Sequence, residues 1–160
     1  MRDGCLLDTS FFLRLLKEND PLFKNADDYF RYLLENKFPL FISTISIAEF
    51  CVKGSVDELP LKNLFVLPFN FEHARRAGTL ARILYNKRNK GELKLNERPI
   101  IINDAKLFAQ ADTEQKIKYY ITADKRSLKI YNSIKLENDL YFEFIQIETG
   151  YNEVFGVLDL

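Results

Sequence analysis

Apolar bursts and amphipathic stretches alternate along the chain, and this alternation predicts an α/β protein. Short apolar runs bounded by polar residues are typical of buried strands, and they occur at residues 4–8, 38–43, 64–69, 118–124 and 140–147. Longer stretches with apolar residues three or four positions apart are typical of helices, and they occur at residues 9–20, 21–37, 44–54, 71–89, 99–112 and 125–133. Segment 90–98 is polar and predicts a loop, whereas the pattern predicts no element for residues 148–160.

The order of these elements predicts how the sheet is built. Strands separated by helices imply right-handed crossovers and parallel pairing. We therefore expect a three-layer α/β sandwich, in which helices flank a mainly parallel central sheet of about five strands. The 160 residues contain no evident linker, repeat or low-complexity segment, so we expect one domain spanning residues 1–160.

Charge and cysteine content narrow the function classes. Lys plus Arg and Asp plus Glu both total 23, so a polyanion would have to bind at a local patch rather than through the net charge. The spacing of Cys5 and Cys51 does not indicate a metal site or a disulfide framework. The sequence lacks a signal peptide and any apolar window of about 18 residues, so we expect a cytoplasmic protein without membrane contact.

Four carboxylates stand in unusually apolar surroundings. Asp8 and Asp124 end predicted strands, Glu49 lies about five residues into a predicted helix, and Asp104 lies in the helix before the fourth strand. A single Asp at a strand end is commonly a helix cap or a turn residue. Four acids flanked by core-like residues are less easily explained as independent caps. Ligands of parallel sheets bind beyond the carboxyl ends of the strands, so we expect these acids to meet there.

A bound cation explains this pattern. Burying several like charges together costs several kcal/mol each unless cations neutralise them. Carboxylate oxygens are hard ligands that suit Mg²⁺ or Mn²⁺, and such ions can activate a water and hold a phosphate for in-line attack. The sequence therefore predicts one or two Mg²⁺ or Mn²⁺ ions held by Asp8, Glu49, Asp104 and Asp124.

The four segments resemble the motifs of PIN domains and, within that superfamily, those of VapC-type toxin ribonucleases. The matching stretches, in chain order, are "LLDTS" at 6–10, "ISIAEF" at 45–50, "NDAKLFAQA" at 103–111 and "ITAD" at 121–124. The resemblance spans about residues 4–147. Each motif alone is weak, but all four in this order and spacing form a fairly specific signal.

This resemblance implies a metal-dependent endoribonuclease that is the toxin of a toxin–antitoxin pair. A water activated by the metal would attack the RNA phosphodiester and leave 5′-phosphate and 3′-hydroxyl ends. Asp8, Glu49, Asp104 and Asp124 would be the catalytic metal ligands, and the residues expected to orient these carboxylates or the water are Thr9, Ser46 and Thr122. An antitoxin protein and a second copy of the chain are the implied partners.

The sequence departs from the family pattern after its fourth acid. The family often continues Thr-x-Asp-x-Asp-Phe, whereas "TADKRS" places Arg126 and Ser127 at the last two positions. The missing acid favours an alternative, a catalytically weak or inactive PIN-fold module that binds RNA or protein. Other doubly wound domains with acidic strand ends, such as receiver domains and haloacid-dehalogenase-like phosphatases, require a second acid beside the first, and "DTS" lacks it.

Two basic segments are candidates for RNA contact. Segment 82–98 holds six basic and two acidic residues, a local charge of +4, and a second cluster follows Asp124. The candidate RNA-binding residues are Lys87, Arg88, Lys90, Lys94, Lys125 and Arg126. The alternative for both segments is a solvated surface, with Lys and Arg favourable near a helix C-terminus.

Aromatic residues in the first two predicted helices suggest a self-association surface. Phe11, Phe12, Tyr29 and Phe30 offer more aromatic surface than a small core needs, although they could equally be core residues. Because PIN toxins usually form homodimers, we expect a homodimer here as well.

Overall fold

The computed structural model describes residues 3–91 and 98–158, with side chains for all of these except residues 98–101. Its strands are β1 (Gly4–Leu7), β2 (Leu40–Ser43), β3 (Phe65–Leu67), β4 (Ile117–Thr122) and β5 (Glu143–Gln146). Its α-helices are α1 (Thr9–Leu15), α2 (Phe23–Glu35), α3 (Thr44–Phe50), α4 (Phe71–Asn89), α5 (Arg98–Thr113), α6 (Lys125–Lys135) and α7 (Tyr151–Val154). Two short 3₁₀ helices, at Val56–Glu58 and Leu61–Asn63, precede β3.

The five strands form one parallel sheet in the order β3-β2-β1-β4-β5. The chain builds the sheet outward from β1 on one side, through β2 and β3, and then crosses over to add β4 and β5 on the other side. The predicted α/β architecture with a mainly parallel sheet is therefore confirmed. The crossover leaves a crevice at the carboxyl ends of β1 and β4, where doubly wound sheets bind their ligands.

Side chains of alternate residues in the central strands pack into two separate hydrophobic cores, one on each face of the sheet. Leu6 and Tyr120 pack on one face against side chains from α4, α5 and α6. Cys5, Leu7 and Ile42 pack on the other face against side chains from α1 and α2. This two-sided burial follows from the alternation of side chains along a strand, and it explains why β1 is apolar at every position from Cys5 to Leu7.

Several element boundaries differ from the prediction. The first helix ends at Leu15 rather than at residue 20. In the turn that follows, Asp20 accepts hydrogen bonds from Leu22 N and from the Arg14 guanidinium. The second helix begins at Phe23, two residues after Pro21. These short-range side-chain contacts compete with helix propagation, so the pattern of apolar residues overestimates helix length here.

The C-terminal segment, which the sequence pattern leaves unassigned, completes the second core. The Tyr151 and Phe155 rings pack on Tyr32, with ring centroids 4.9 and 5.1 Å away. The Tyr29 hydroxyl donates a hydrogen bond to the Thr149 carbonyl oxygen. Aromatic side chains thus attach the tail to α2 and β4.

The aromatic residues proposed for self-association lie mostly in the chain's own core. Phe11, Phe12 and Tyr29 are fully buried, and Phe30 packs against them while remaining partly exposed. The predicted homodimer therefore cannot use the first three rings as its surface.

Of the helices in the described part of the chain, none is long and apolar enough to cross a membrane.

Candidate active site

A cleft at the carboxyl end of the sheet collects the four predicted acids. It has a volume of about 230 Å³ and is lined by Asp8, Glu49, Asp104 and Asp124, together with Thr9, Ser10, Leu13, Asn103, Leu107 and Arg126. The acids come from four places in the chain: the ends of β1 and β4, and helices α3 and α5. The parallel sheet explains their meeting, because its strands all end at the same edge.

Asp8 is buried and held entirely by neutral donors. Its Oδ1 accepts hydrogen bonds from Ser10 Oγ at 2.6 Å and from Phe11 N at 3.1 Å, and this second contact also caps α1. Its Oδ2 accepts hydrogen bonds from Thr122 Oγ1 at 2.6 Å and from Tyr120 Oη at 3.2 Å. Burial raises the pKa of Asp8, and these four hydrogen bonds act in the opposite direction.

Glu49 presents one satisfied and one unsatisfied oxygen. Its Oε2 accepts a hydrogen bond from Thr9 Oγ1 at 3.1 Å, whereas its buried Oε1 has no hydrogen-bond partner among the described residues. The Oγ of Ser46, one turn earlier on α3, is likewise buried without a partner there. Burial raises the pKa of Glu49, while the Thr9 hydrogen bond and the charge of Lys106 lower it.

Asp104 shows the electrostatic coupling within the cleft. Its Oδ2 accepts a hydrogen bond from Ser127 Oγ at 3.3 Å. Burial, followed by the negative charges of Asp8, Asp124 and Glu49, raises the pKa of Asp104 from 3.8 to about 7. The four carboxylates are therefore close enough to repel one another.

Asp124 differs from the other three acids because the positively charged side chain of Arg126 already pairs with it. Its Oδ1 caps α6 by accepting a hydrogen bond from Arg126 N at 2.9 Å. The Arg126 guanidinium spans both carboxylate oxygens, with Nε 3.2 Å from Oδ1 and Nη2 3.3 Å from Oδ2. Asp124 thus has an ion-pair partner within the chain.

The donor set suits a hard divalent cation, although its geometry is not that of a finished coordination shell. Carboxylate oxygens are the ligands that Mg²⁺ and Mn²⁺ prefer, and the unpartnered Oε1 of Glu49 offers a free ligand atom inside the cleft. As placed, however, no three Asp, Glu, His or Cys side chains within residues 3–91 and 98–158 converge on a single ion position. The acids line one cleft, and side-chain rotation would be needed to bring three of them onto one ion.

The three polar residues proposed to orient the carboxylates or the water lie in different contacts. Thr9 contacts Glu49 and Thr122 contacts Asp8, whereas Ser46 contacts neither acid. The sequence analysis missed Ser10, Tyr120 and Ser127, each of which donates to one of the acids. A signal existed for Tyr120, because it lies two positions before Thr122 and therefore faces the same side of β4.

The predicted RNA-binding residues fall in different environments. Lys87 is 7 % exposed, and its Nζ lies 3.6 Å from Glu137 Oε1, so it is not a surface residue. Arg88 is partly exposed and Lys90 is exposed at the end of α4, whereas Lys94 lies outside the described residues. Lys125 and Arg126 open α6 beside the cleft, where Lys125 pairs with Glu148 at 3.2 Å.

Comparison with solved structures agrees with the overall fold. Two similar solved structures are VapBC2 from Rickettsia felis bound to a DNA fragment from its promoter and DNA-bound VapBC from Salmonella typhimurium. The first match is 19 % identical, covers 88 % of this chain and 97 % of the other, and has a TM-score of 0.57. The second is 16 % identical, covers 92 % and 99 %, and has a TM-score of 0.54; at these identities both matches show a shared fold.

Sequence comparison gives the family directly. No protein with curated annotation matches the sequence significantly. The sequence profile of the PIN domain, however, matches residues 5–132, a range that contains all four acids of the cleft. The chain therefore belongs to the PIN domain family.

Proposed function

We propose that this chain is an endoribonuclease that depends on Mg²⁺ or Mn²⁺. One observation carries the proposal: Asp8, Glu49 and Asp104 line one cleft, and none of them forms an ion pair with a described side chain. Uncompensated buried carboxylates are costly, so their clustering is best explained by a divalent cation that binds there. One ion, or two, would be held by these three acids and Asp124.

The four acids and the hydroxyl groups around them have roles in this reaction. When bound, the ion supplies Lewis acidity, which lowers the pKa of a water and offsets charge on the phosphate. Ser10 and Thr122 fix the orientation of Asp8, and Thr9 fixes that of Glu49. Ser127 holds Asp104 in the cleft, and Ser46 lies one turn from Glu49 with a free hydroxyl that can orient water. The expected products carry 5′-phosphate and 3′-hydroxyl ends.

RNA is the proposed substrate, and the basic residues beside the cleft are its proposed contacts. Lys125 and Arg126 are well placed because they line a groove that adjoins the cleft at Ser10 and Asp124. Arg88, Lys90 and Lys94 remain proposed contacts at the other basic segment. Lys87 is left out, because its burial against Glu137 keeps it from reaching a phosphate.

The structural neighbours suggest the biological setting. Both come from VapBC complexes, and we propose by analogy that this chain is a toxin neutralised by an antitoxin protein. Leu13 is 42 % exposed on α1 and also lines the cleft, so an antitoxin segment that covers the cleft would bury it. The neighbouring Leu16 is 37 % exposed and could extend the same surface or a homodimer contact. We propose a cytoplasmic location, because a toxin of this kind would meet its RNA there.

A second candidate function is a PIN-fold module with little or no catalysis, which binds RNA or protein. Two observations favour it: Arg126 already occupies Asp124, and the described acids do not converge on one ion position. The two candidates differ in a single measurable property, cleavage of RNA that requires a divalent ion.

The test is cleavage of a mixed RNA pool by the purified chain with Mn²⁺, with Mg²⁺ and with excess chelator. We expect cleavage with either ion, none in chelator, and none by Asp104→Asn. Asp57→Asn, which changes an exposed acid in the 3₁₀ helix at Val56–Glu58, is the matched control and should cleave normally. Activity that persists in chelator or in Asp104→Asn would overturn the proposal, and absence of cleavage under all conditions would favour the binding module.

A further inference from the structure

Arg126 is the one cationic residue among the described side chains that line the acidic cleft. We propose that it is a built-in cation, which competes with a divalent metal ion for Asp124. This inference rests on the proposed function, because it concerns the same cleft. It adds that the affinity of the cleft for metal is set from within the chain, by a side chain that leaves Asp124 when the ion takes its place.

The contacts of Asp124 support this competition. The Arg126 guanidinium makes a forked contact, with one nitrogen on each carboxylate oxygen at 3.2 and 3.3 Å. Oδ1 also accepts the hydrogen bond from Arg126 N that caps α6. Forked contacts of this kind fix a carboxylate in both position and plane. A metal ion that binds Asp124 must therefore displace the guanidinium from at least one oxygen.

The other three acids set the contrast. Asp8 is held by the hydroxyls of Ser10, Thr122 and Tyr120 and by a backbone amide. Glu49 and Asp104 each accept a hydrogen bond from one hydroxyl group. Neutral donors of this kind orient a carboxylate without cancelling its charge. The charge of Lys106 also acts on Glu49, but Asp8, Glu49 and Asp104 form no ion pair among the described residues, so they keep their attraction for a metal ion. Arg126 weakens that attraction at Asp124.

The ion pair between Arg126 and Asp124 is exposed enough for a metal ion to replace the guanidinium. The Arg126 side chain is 64 % exposed and the Asp124 side chain 25 % exposed. Ion pairs with one solvent-exposed partner are weakly held because solvent screens them. A divalent ion carries twice the charge of the guanidinium and coordinates oxygen directly, so it can displace the guanidinium at a measurable cost in affinity.

A groove beside the cleft can accept the displaced Arg126 side chain. Arg126 also lines the adjoining groove, which has a volume of about 480 Å³ and contains Arg14 and Lys125. A phosphate group of bound RNA that entered this groove would offer Arg126 another anionic partner, since guanidinium groups bind phosphate with the same forked geometry. Metal binding at Asp124 and RNA binding in the groove would then favour each other.

The experiment is titration of Mn²⁺ into the full-length protein by isothermal calorimetry, without RNA. Arg126→Ala should bind Mn²⁺ roughly tenfold more tightly than wild type, because no charge-assisted contact has to be broken. Arg126→Lys, which keeps the charge but loses the fork, should fall between the two. Thermal melts of the variants without metal show whether each is folded. We expect the variants at position 126 to fold, because the Arg126 side chain is largely exposed.

Lys125→Ala is the matched control. It removes the same charge one residue earlier, from a side chain that pairs with Glu148 and lines the groove but not the cleft. Its Mn²⁺ affinity should stay within about threefold of wild type, since exposed charges are screened. Equal affinity of wild type and Arg126→Ala, or equal gains in Arg126→Ala and Lys125→Ala, would overturn the inference. Absence of Mn²⁺ binding in every variant would instead overturn the proposed metal-dependent function.

Discussion

The two sides of the acidic cleft hold negative charge in opposite ways. On the inner side, Asp8 is 5 % exposed and receives four hydrogen bonds from neutral groups. On the outer side, Asp124 is partly exposed and forms an ion pair with the Arg126 guanidinium. Both acids end a central strand and cap the helix that follows. The same local structure thus supports two different electrostatic states.

The difference predicts which part of the cleft would bind an external cation. A carboxylate that is buried and surrounded by neutral donors is oriented but remains uncompensated, which costs stability unless a cation arrives. A carboxylate with its own guanidinium is stable without one. We therefore expect the inner side to account for most of the metal affinity and the outer side to adjust it.

The largest expected effect is on catalysis by Asp8→Asn. The change removes an inner ligand but keeps the side-chain shape, so RNA cleavage should fall by about a thousandfold or more, which corresponds to about 4 kcal/mol. Asp124→Asn should cost clearly less if the outer side only adjusts the ion. Initial cleavage rates at saturating Mn²⁺ measure both. Equal losses in the two variants would contradict the division of the cleft into two sides.

The pH dependence of stability is the next largest effect. Because the pKa of Asp104 is raised to about 7 by burial and by its acidic neighbours, its folded form keeps a proton that the unfolded chain has already lost. The resulting stability is present below about pH 4 and is lost as the pH rises through about 7. Metal-free protein should therefore lose about 2 to 3 kcal/mol of unfolding free energy between pH 5 and pH 8 from this group.

Urea denaturation at pH 5 and pH 8, in chelator, measures this loss. Asp104→Asn lacks the titrating carboxyl group, so its unfolding free energy should differ less between pH 5 and pH 8. Saturating Mn²⁺ should also reduce the loss in wild type, because an ion stabilises the charged carboxylates at pH 8. If wild type and Asp104→Asn show the same pH dependence of stability, the electrostatic coupling described between Asp104 and its acidic neighbours is wrong.

A smaller effect is expected from Thr122→Val, which tests whether neutral donors hold Asp8. The substitution keeps the shape of the side chain but removes the hydroxyl that lies 2.6 Å from Asp8 Oδ2 and that accepts a hydrogen bond from Asp124 N. Loss of a donor to a buried acid should cost about 1 to 3 kcal/mol. Thr113→Val is the control, since that hydroxyl bonds only to the Ala109 carbonyl within its own helix. Chemical denaturation compares the two, and equal costs would contradict a special role for Thr122.

The smallest effect concerns the basic segment at the end of α4. Replacing Arg88 and Lys90 with Gln should flatten the salt dependence of RNA affinity by about 0.7 in log–log slope for each lost phosphate contact. Lys87→Met, at a buried position of the same segment, should leave that slope unchanged. Binding is measured in the Asp8→Asn background, which prevents cleavage. An unchanged slope in the Arg88 and Lys90 variant would assign RNA binding to the groove beside Arg126.

Much of the fold and the gathering of the acids could be predicted because they depend on local patterns. Apolar runs mark β1 and β4, and parallel strands necessarily bring Asp8 and Asp124 to one edge. Glu49 and Asp104 could be added because apolar residues flank them. The same reasoning gives no side-chain partners, so the contact between Arg126 and Asp124 was not foreseen.

The failures have a common physical origin in tertiary contacts. Lys87 belongs to a basic run in the sequence, but its side chain is buried and pairs with Glu137, which is fifty residues away in sequence. The pattern predicts no element for the tail because α7 has only four residues, too few to show a helical period. What fixes it is the aromatic surface of Tyr29 and Tyr32, which no local pattern reports.

The position of β1 at the centre of the sheet has a consequence for the synthesis of the chain. β1 is made first, yet one of its two neighbours, β4, is made more than a hundred residues later. At the usual elongation rates of about 5 to 20 residues per second, roughly 6 to 23 s pass between the addition of residue 8 and that of residue 124. During this interval the acids cannot form a cleft. If the cleft cleaves RNA as proposed, the growing chain cannot do so until most of it has been translated.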